Sequence, residues 1–284
     1  MRGLILGDIM RALKSLRFWG FVFVVAITLI GGGALASKTI MGGGYTLSNG
    51  REIKLFLYSG LPLQYGIVSS FNLILVFIFG APVLCGDYIA SDRQTGFWSL
   101  YKVRGLGDSA ILFSRLVSSF LIVLSAGVLS FGMNLIGSHF FFSGSLAAQY
   151  TRSELIEVAI RYMPSVAQWN IWVYWSMILL IYVLMAWGVV CFCAIIGILT
   201  EQPFLAVPLP AAALILYSEL TYNAYLSKQF CYFNYDFVFA SLTKWSETKN
   251  QTFQLPLTIL IFICGAYLSL WLKNHWLNAP SEYK

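Results

Sequence analysis

Apolar residues in this chain gather into six long runs, at about 18–36, 66–84, 110–133, 169–200, 204–220 and 255–272, parted by stretches where polar and charged residues collect. Five of the runs are close to the roughly 20 residues that a helix needs to cross the hydrocarbon core of a bilayer, and the fourth, 169–200, is longer. The pattern predicts an all-α integral membrane protein, six transmembrane helices forming one domain over 1–284. Ahead of the first run, residues 3–17 (GLILGDIMRALKSLR) repeat with helical period. Ile5, Leu6, Ile9, Leu13 and Leu16 fall on one face, with Asp8, Arg11, Lys14 and Ser15 opposite. Such a helix lies in the membrane plane, with Arg11, Lys14 and Arg17 towards anionic lipid. The same stretch also fits the charged region of a signal peptide, with Phe18 to Ile30 as its apolar core and Ala34-Leu35-Ala36 as a cleavage site. The expectation is an interfacial helix that is retained.

The polar stretches differ in character. Residues 37–65 carry Gly42 to Gly44, Asn49-Gly50 and Pro62, a loop with room for a hairpin. Thr151-Arg152-Ser153-Glu154 is a capping box opening a short amphipathic helix that Pro164 stops. Glu201-Gln202-Pro203 makes a tight turn between the fourth and fifth runs, and 221–254 is rich in Tyr and Phe. The most charged stretch is 86–115, GDYIASDRQTGFWSLYKVRGLGDSAILFSR, which holds Asp87, Asp92, Arg93, Lys102, Arg104, Asp108 and Arg115. In the third run Ser114, Ser118, Ser125 and Gly132 share about 40° of a helical wheel, a small-residue seam for close packing.

Composition agrees with the pattern. Of 284 residues 58% are hydrophobic and 11% charged, with a mean hydropathy of +0.74, whereas soluble chains carry about 25% charged residues. The net charge of +6 comes from basic residues flanking apolar runs, which points to a membrane surface and away from nucleic acid. Gly31 to Gly33 before Lys38-Thr39 is no phosphate loop, because Ser37 takes the place of the glycine that must precede the lysine. The two histidines, His139 and His275, fall on opposite sides, and Cys191-Phe-Cys193 has the wrong spacing for a zinc or redox pair. Cys85 and Cys264 sit in apolar runs and Cys231 alone looks exposed, so no disulfide framework is expected. Nothing in the chain suggests a catalytic residue, a metal or a cofactor of its own. Ionisable residues are nearly missing from the middle of the runs, which argues against an ion-coupled secondary transporter.

Orientation follows the basic residues. With the N-terminus in the cytoplasm, Arg11, Lys14, Arg17, Arg93, Lys102, Arg104, Arg115 and Lys273 lie inside in short segments, while the outer basic residues are spread over longer ones. Both termini are then cytoplasmic, and 221–254 is extracellular. The layout has an amphipathic N-terminal helix, a charged loop between spans two and three, a very short turn between spans four and five, and a bulky outer segment before span six. It resembles the six-span permease subunits of bacterial ABC-2 type exporters. The local match is Asp92-Arg93-Gln94-Thr95-Gly96, with the Thr-Gly order reversed relative to that family, then Phe97 to Leu100, the basic turn Arg104-Gly105, and Arg115 opening span three.

The resemblance implies that 86–109 is a cytoplasmic coupling segment containing a coupling helix, with Phe97, Trp98 and Tyr101 as anchors on a separate ATPase and Glu201 and Gln202 as a smaller second contact. It implies two ABC ATPase subunits as partners, which bind the ATP and Mg, and a second permease, either a copy or a paralogue, in the cell membrane. The expected function is export of an amphipathic substrate: a peptide, an antimicrobial or a lipid-like molecule. Physical logic independent of the family asks for the same part, since a membrane protein driven by a separate ATPase needs a stiff lever, here Gln94 to Val103, that docks on the moving subunit. The alternative is a non-transporting substrate-capture or sensor subunit.

Overall fold

A computed structural model describes residues 2–39, 45–46, 52–53, 77, 80–142, 171–223 and 254–277. Apart from short turns they are helical, with one two-residue antiparallel ladder, β1 (Tyr45–Thr46) against β2 (Glu52–Ile53). Helix α1 (Arg2–Lys14) gives way to α2 (Leu16–Thr39) at Ser15. The Ser15 hydroxyl accepts from the Phe18 amide at 3.2 Å, a serine cap that starts α2 in a new direction. Three short helices follow: α3 (Pro82–Cys85), α4 (Tyr88–Gln94) and α5 (Phe97–Val103). Then come α6 (Asp108–Phe142), α7 (Ile171–Thr200), α8 (Pro203–Ala206), α9 (Pro208–Asn223) and α10 (Gln254–Leu272), the last continued by a π-helical turn, Lys273–Leu277.

Among the described residues, three helical stretches are long and apolar enough to cross a bilayer: Asp108–Met133, Leu179–Thr200 and Leu257–His275. They make this a membrane protein. Leu16–Thr28 and Pro203–Leu216 are shorter apolar pieces. The third run was expected to leave the membrane after 133, yet its helix continues to Phe142. The fifth run is two helices, because Pro208 has no amide to continue α8 into α9. Most of the second expected span, the 151–163 helix and most of 221–254 lie outside the described residues.

Helix α7 is the central post. It packs most extensively on α10 and α6, and also on α4 and α8, while α6 is covered by α2 and α1. One apolar cluster, around Phe18, Val22, Phe77, Ile122, Tyr182 and Met185, joins α2, α6 and α7. The other, around Ile89, Trp98, Ile111, Leu112, Ile198 and Leu270, joins α4, α5 and α6 to α7 and α10. This second cluster is the floor on which the charged segment rests. Outward-facing Phe113, Val128, Leu260 and Leu268 leave apolar surface of the kind that lipid covers.

Candidate functional site

The charged segment folds as two short helices and a reversal, so the single lever expected from Gln94 to Val103 is broken near its start. Helix α4 ends where the Thr95 hydroxyl turns back to the Ser91 carbonyl at 2.7 Å. Gly96 follows at φ 80°, a left-handed conformation that a side chain would strain. Helix α5 then lies across the ends of the longer helices, held by three groups of charged side chains.

The first group is buried. Arg115, near the start of α6, pairs through Nη1 with Asp8 of α1 and through Nη2 with Asp92 of α4; the three residues are 2%, 3% and 5% exposed. Arg115 Nη2 also donates to the Tyr101 hydroxyl of α5 at 3.2 Å, with the guanidinium 5.5 Å from the ring centre, and Ser118 Oγ donates to Asp8 at 2.9 Å. One guanidinium thus serves two carboxylates in a dry place. Burial raises Asp92 above the ordinary carboxylate range, with Arg115 pulling the other way.

The second group closes the far end of α7. Lys273 donates to the Ile198 carbonyl at 2.8 Å and the Leu199 carbonyl at 3.3 Å, and meets Glu201 at 2.9 Å. Arg93 reaches the same Glu201 at 3.4 Å and stacks its guanidinium 5.1 Å from the centre of Trp98. Burial lowers Arg93 from its usual value, with Glu201 and Asp108 opposing; a guanidinium starts so high that it stays charged. In the third group Asp108 accepts from Trp98 Nε1 at 2.7 Å and Asn274 Nδ2 at 2.9 Å, and pairs with Lys102 at 2.8 Å.

These bonds correct two expectations. Asp8 was placed on the wet side of α1, opposite the leucines, but it is the residue that α1 buries, while Leu6 and Met10 are exposed beside Arg11 and Lys14. A single carboxylate on a basic helix turns inward because a buried guanidinium awaits it there. The aromatic face of α5 also divides. Trp98 is 4% exposed and Tyr101 is half-buried over Arg115, so neither presents an outward anchor; Phe97 is 47% exposed. The outward face carries Phe97, Leu100, Val103 and Arg104. Gln94, Thr95 and Gln202 are exposed at the turns, Glu201 is half-exposed, and Arg17 meets Asp87 at 3.3 Å. Asp92, Arg93 and Arg115 work inside the joint and not on its surface.

Sequence reasoning missed Asp8, Ser118, Lys273 and Asn274. The only trace in the chain was the isolation of Asp8 as the one acid among the basic residues of 2–17. Cys85, Cys191 and Cys193 are buried and Cys264 is exposed on α10; Cys231 lies outside the described residues. Among the described residues, no group of three or more His, Cys, Asp or Glu side chains is gathered to hold a metal ion. No protein-family model matches the chain, and no curated protein matches it in sequence. The arrangement offers mechanical linkage: a two-helix platform tied to the middle of α1 and to the ends of α6, α7 and α10.

Proposed function

We propose that the chain is the permease subunit of an ATP-driven ABC-2 type exporter, and that α4 and α5 form the cytoplasmic coupling segment on which a separate ATPase acts. The observation that carries the reading is the construction of α5. Its outer face exposes Phe97, Leu100 and Val103 beside Arg104, while its inner face is bonded through Trp98 and Tyr101 to residues that also hold α1, α6 and α10. Force applied to such a platform reaches several membrane helices at once. A connector without that task has no reason to combine an apolar outer face with so many inner ties.

The same bonds support six spans by parity. Asp8 meets Arg115, Arg93 meets Glu201, Lys273 meets Glu201 and Asn274 meets Asp108, so α1, the charged segment, the 201–202 turn and the end of α10 share one end of the bundle. An even number of crossings then separates each neighbouring pair. Helices α6 and α7 supply one pair of crossings and α9 and α10 another; α2 with the expected second span supplies the third. The basic residues crowded at this end favour the cytoplasm, with both termini there. One such bundle makes half of an alternating pathway, so the working unit is two permeases, identical or paralogous, with two ATPase subunits that bind ATP and Mg. Largely apolar spans with few charges in their middle suit an amphipathic cargo, such as a peptide, an antimicrobial or a lipid-like molecule.

Co-purification with the ATPase and an export assay test the reading on a Phe97→Ala, Leu100→Ala double variant. Truncating a desolvated anchor costs about 2 kcal/mol, roughly 30-fold in affinity, so losing both should weaken ATPase binding by roughly 30-fold if the two overlap and by up to roughly 1,000-fold if they add, while membrane insertion stays normal. Undiminished binding and export would make α5 a connector and favour the capture or sensor subunit.

A further inference from the structure

Helix α1 has two surfaces with different chemistry. Its outer surface exposes Arg11 and Lys14 and sets Leu6 and Met10 among them, and the first residues of α2, the 88% exposed Leu16 and Arg17, follow at the corner. Trp19 Nε1 donates to the Leu13 carbonyl at 2.9 Å, which pins an exposed indole at the corner where α1 turns into α2. Cations, aliphatic side chains and an indole at the start of an apolar helix match the layer of a bilayer where phosphates meet acyl chains. An acidic soluble protein would satisfy the cations and leave Leu6, Met10 and Leu16 in water. The fitting occupant is an anionic phospholipid headgroup of the facing leaflet.

The inner surface carries Asp8, which Arg115 and Ser118 hold away from water. The other nitrogen of that same guanidinium holds Asp92 of α4 and Tyr101 of α5. One residue therefore separates the membrane-facing helix from both helices of the platform. A further ion pair among the described residues, Arg17 of α2 with Asp87, is exposed on the Arg17 side and open to screening by salt. Arg115 Nε is buried without a hydrogen-bond partner, so the joint has a spare donor with which to accept a shifted carboxylate.

We propose that α1 senses anionic lipid headgroups and that Asp8, through Arg115, passes their occupancy to α4 and α5. Headgroups on Arg11 and Lys14 hold α1 at one depth, Asp8 holds Arg115 with it, and Asp92 and Tyr101 follow. The link is reciprocal, as any equilibrium coupling must be: a partner that shifts α5 alters the affinity of α1 for anionic lipid. The proposal rests on the reading of α4 and α5 as the coupling segment only for its consequence in transport, because the linkage itself exists in the chain alone.

Hydrogen exchange read by mass spectrometry on the purified full chain in nanodiscs tests it without any ATPase. Phosphatidylcholine discs are compared with discs holding about a third phosphatidylglycerol, and with phosphatidylcholine discs in added inorganic phosphate. Anionic lipid should slow exchange in 2–14 and in 88–103, by about fivefold or more in the latter, and free phosphate should slow neither. Arg11→Gln with Lys14→Gln should abolish both effects. Asp8→Asn should keep the effect on 2–14 and lose it on 88–103; if that variant fails to reach the membrane, Ser118→Ala, which frees one Asp8 oxygen, should at least halve the 88–103 effect. The proposal is overturned by an absent lipid effect on 2–14, by free phosphate reproducing it, or by an 88–103 response that survives the substitution intact. Any of these leaves the ATPase co-purification result untouched, so the two readings fail separately.

Discussion

Asp92 stands between two opposing influences: burial favours its neutral form, and Arg115 favours the charged one. Burial prevails, so the folded chain binds the Asp92 proton more tightly than an unfolded chain with the ordinary value of 3.8. Its contribution to stability is then fully present below about pH 4 and fades as pH rises through the raised value. Asp92→Asn keeps the shape without the titration. The melting temperature of the variant in detergent, minus that of the natural chain, should therefore grow as pH is taken from about 4 to 7. A difference that stays flat or shrinks would show that Arg115 holds Asp92 ionised throughout. Composition revealed that charges cluster between 86 and 115, but which of them go inside depended on partners far away in sequence. Arg115 stands near the start of α6, and its two carboxylates were invisible because they belong to two other helices, α1 and α4.

At the scale of elements, α4 and α7 approach closely at Gly197 and Ala90. A Cβ on Gly197 would lie 3.3 Å from Ala90 Cβ and 3.4 Å from the Ala90 amide nitrogen, and neither atom belongs to a flexible side chain. Gly197→Leu should destabilise the chain by about 1–3 kcal/mol through overpacking, and it should lift α4 away from α7. Gly3→Ala, in open space on α1, should be neutral or stabilising by up to about 1 kcal/mol through helix propensity. Thermal unfolding in detergent separates the two, and equal effects would deny the close approach. Helix existence was legible from hydropathy for α2, α6, α7 and α10, because a run long enough to cross a bilayer has few other fates. The facing of α5 was not. With seven residues that helix has too few turns for periodicity to choose a side, and the bonds of Trp98 and Tyr101 made the choice instead.

For the whole molecule, the shared end of the bundle makes a topological prediction. In a cysteine-free background, Ser48→Cys and Thr248→Cys should react with a membrane-impermeant maleimide in intact cells, and Ser99→Cys, exposed on α5, only after permeabilisation. Labelling of Ser99→Cys from outside, with the other two silent, would invert the arrangement. The order in which the chain is made gives Lys273 a further importance. The residues of α7 and the Glu201 turn are synthesised well before Lys273, and until it is added the Ile198 and Leu199 carbonyls lack the ammonium that covers them in the finished fold. Glu201, which the finished fold holds in a left-handed conformation at φ 55°, has Arg93 as its one other counter-ion among the described residues. The arrival of one lysine closes both gaps together. A chain that stops short of it leaves the two carbonyls and the Glu201 carboxylate without that ammonium.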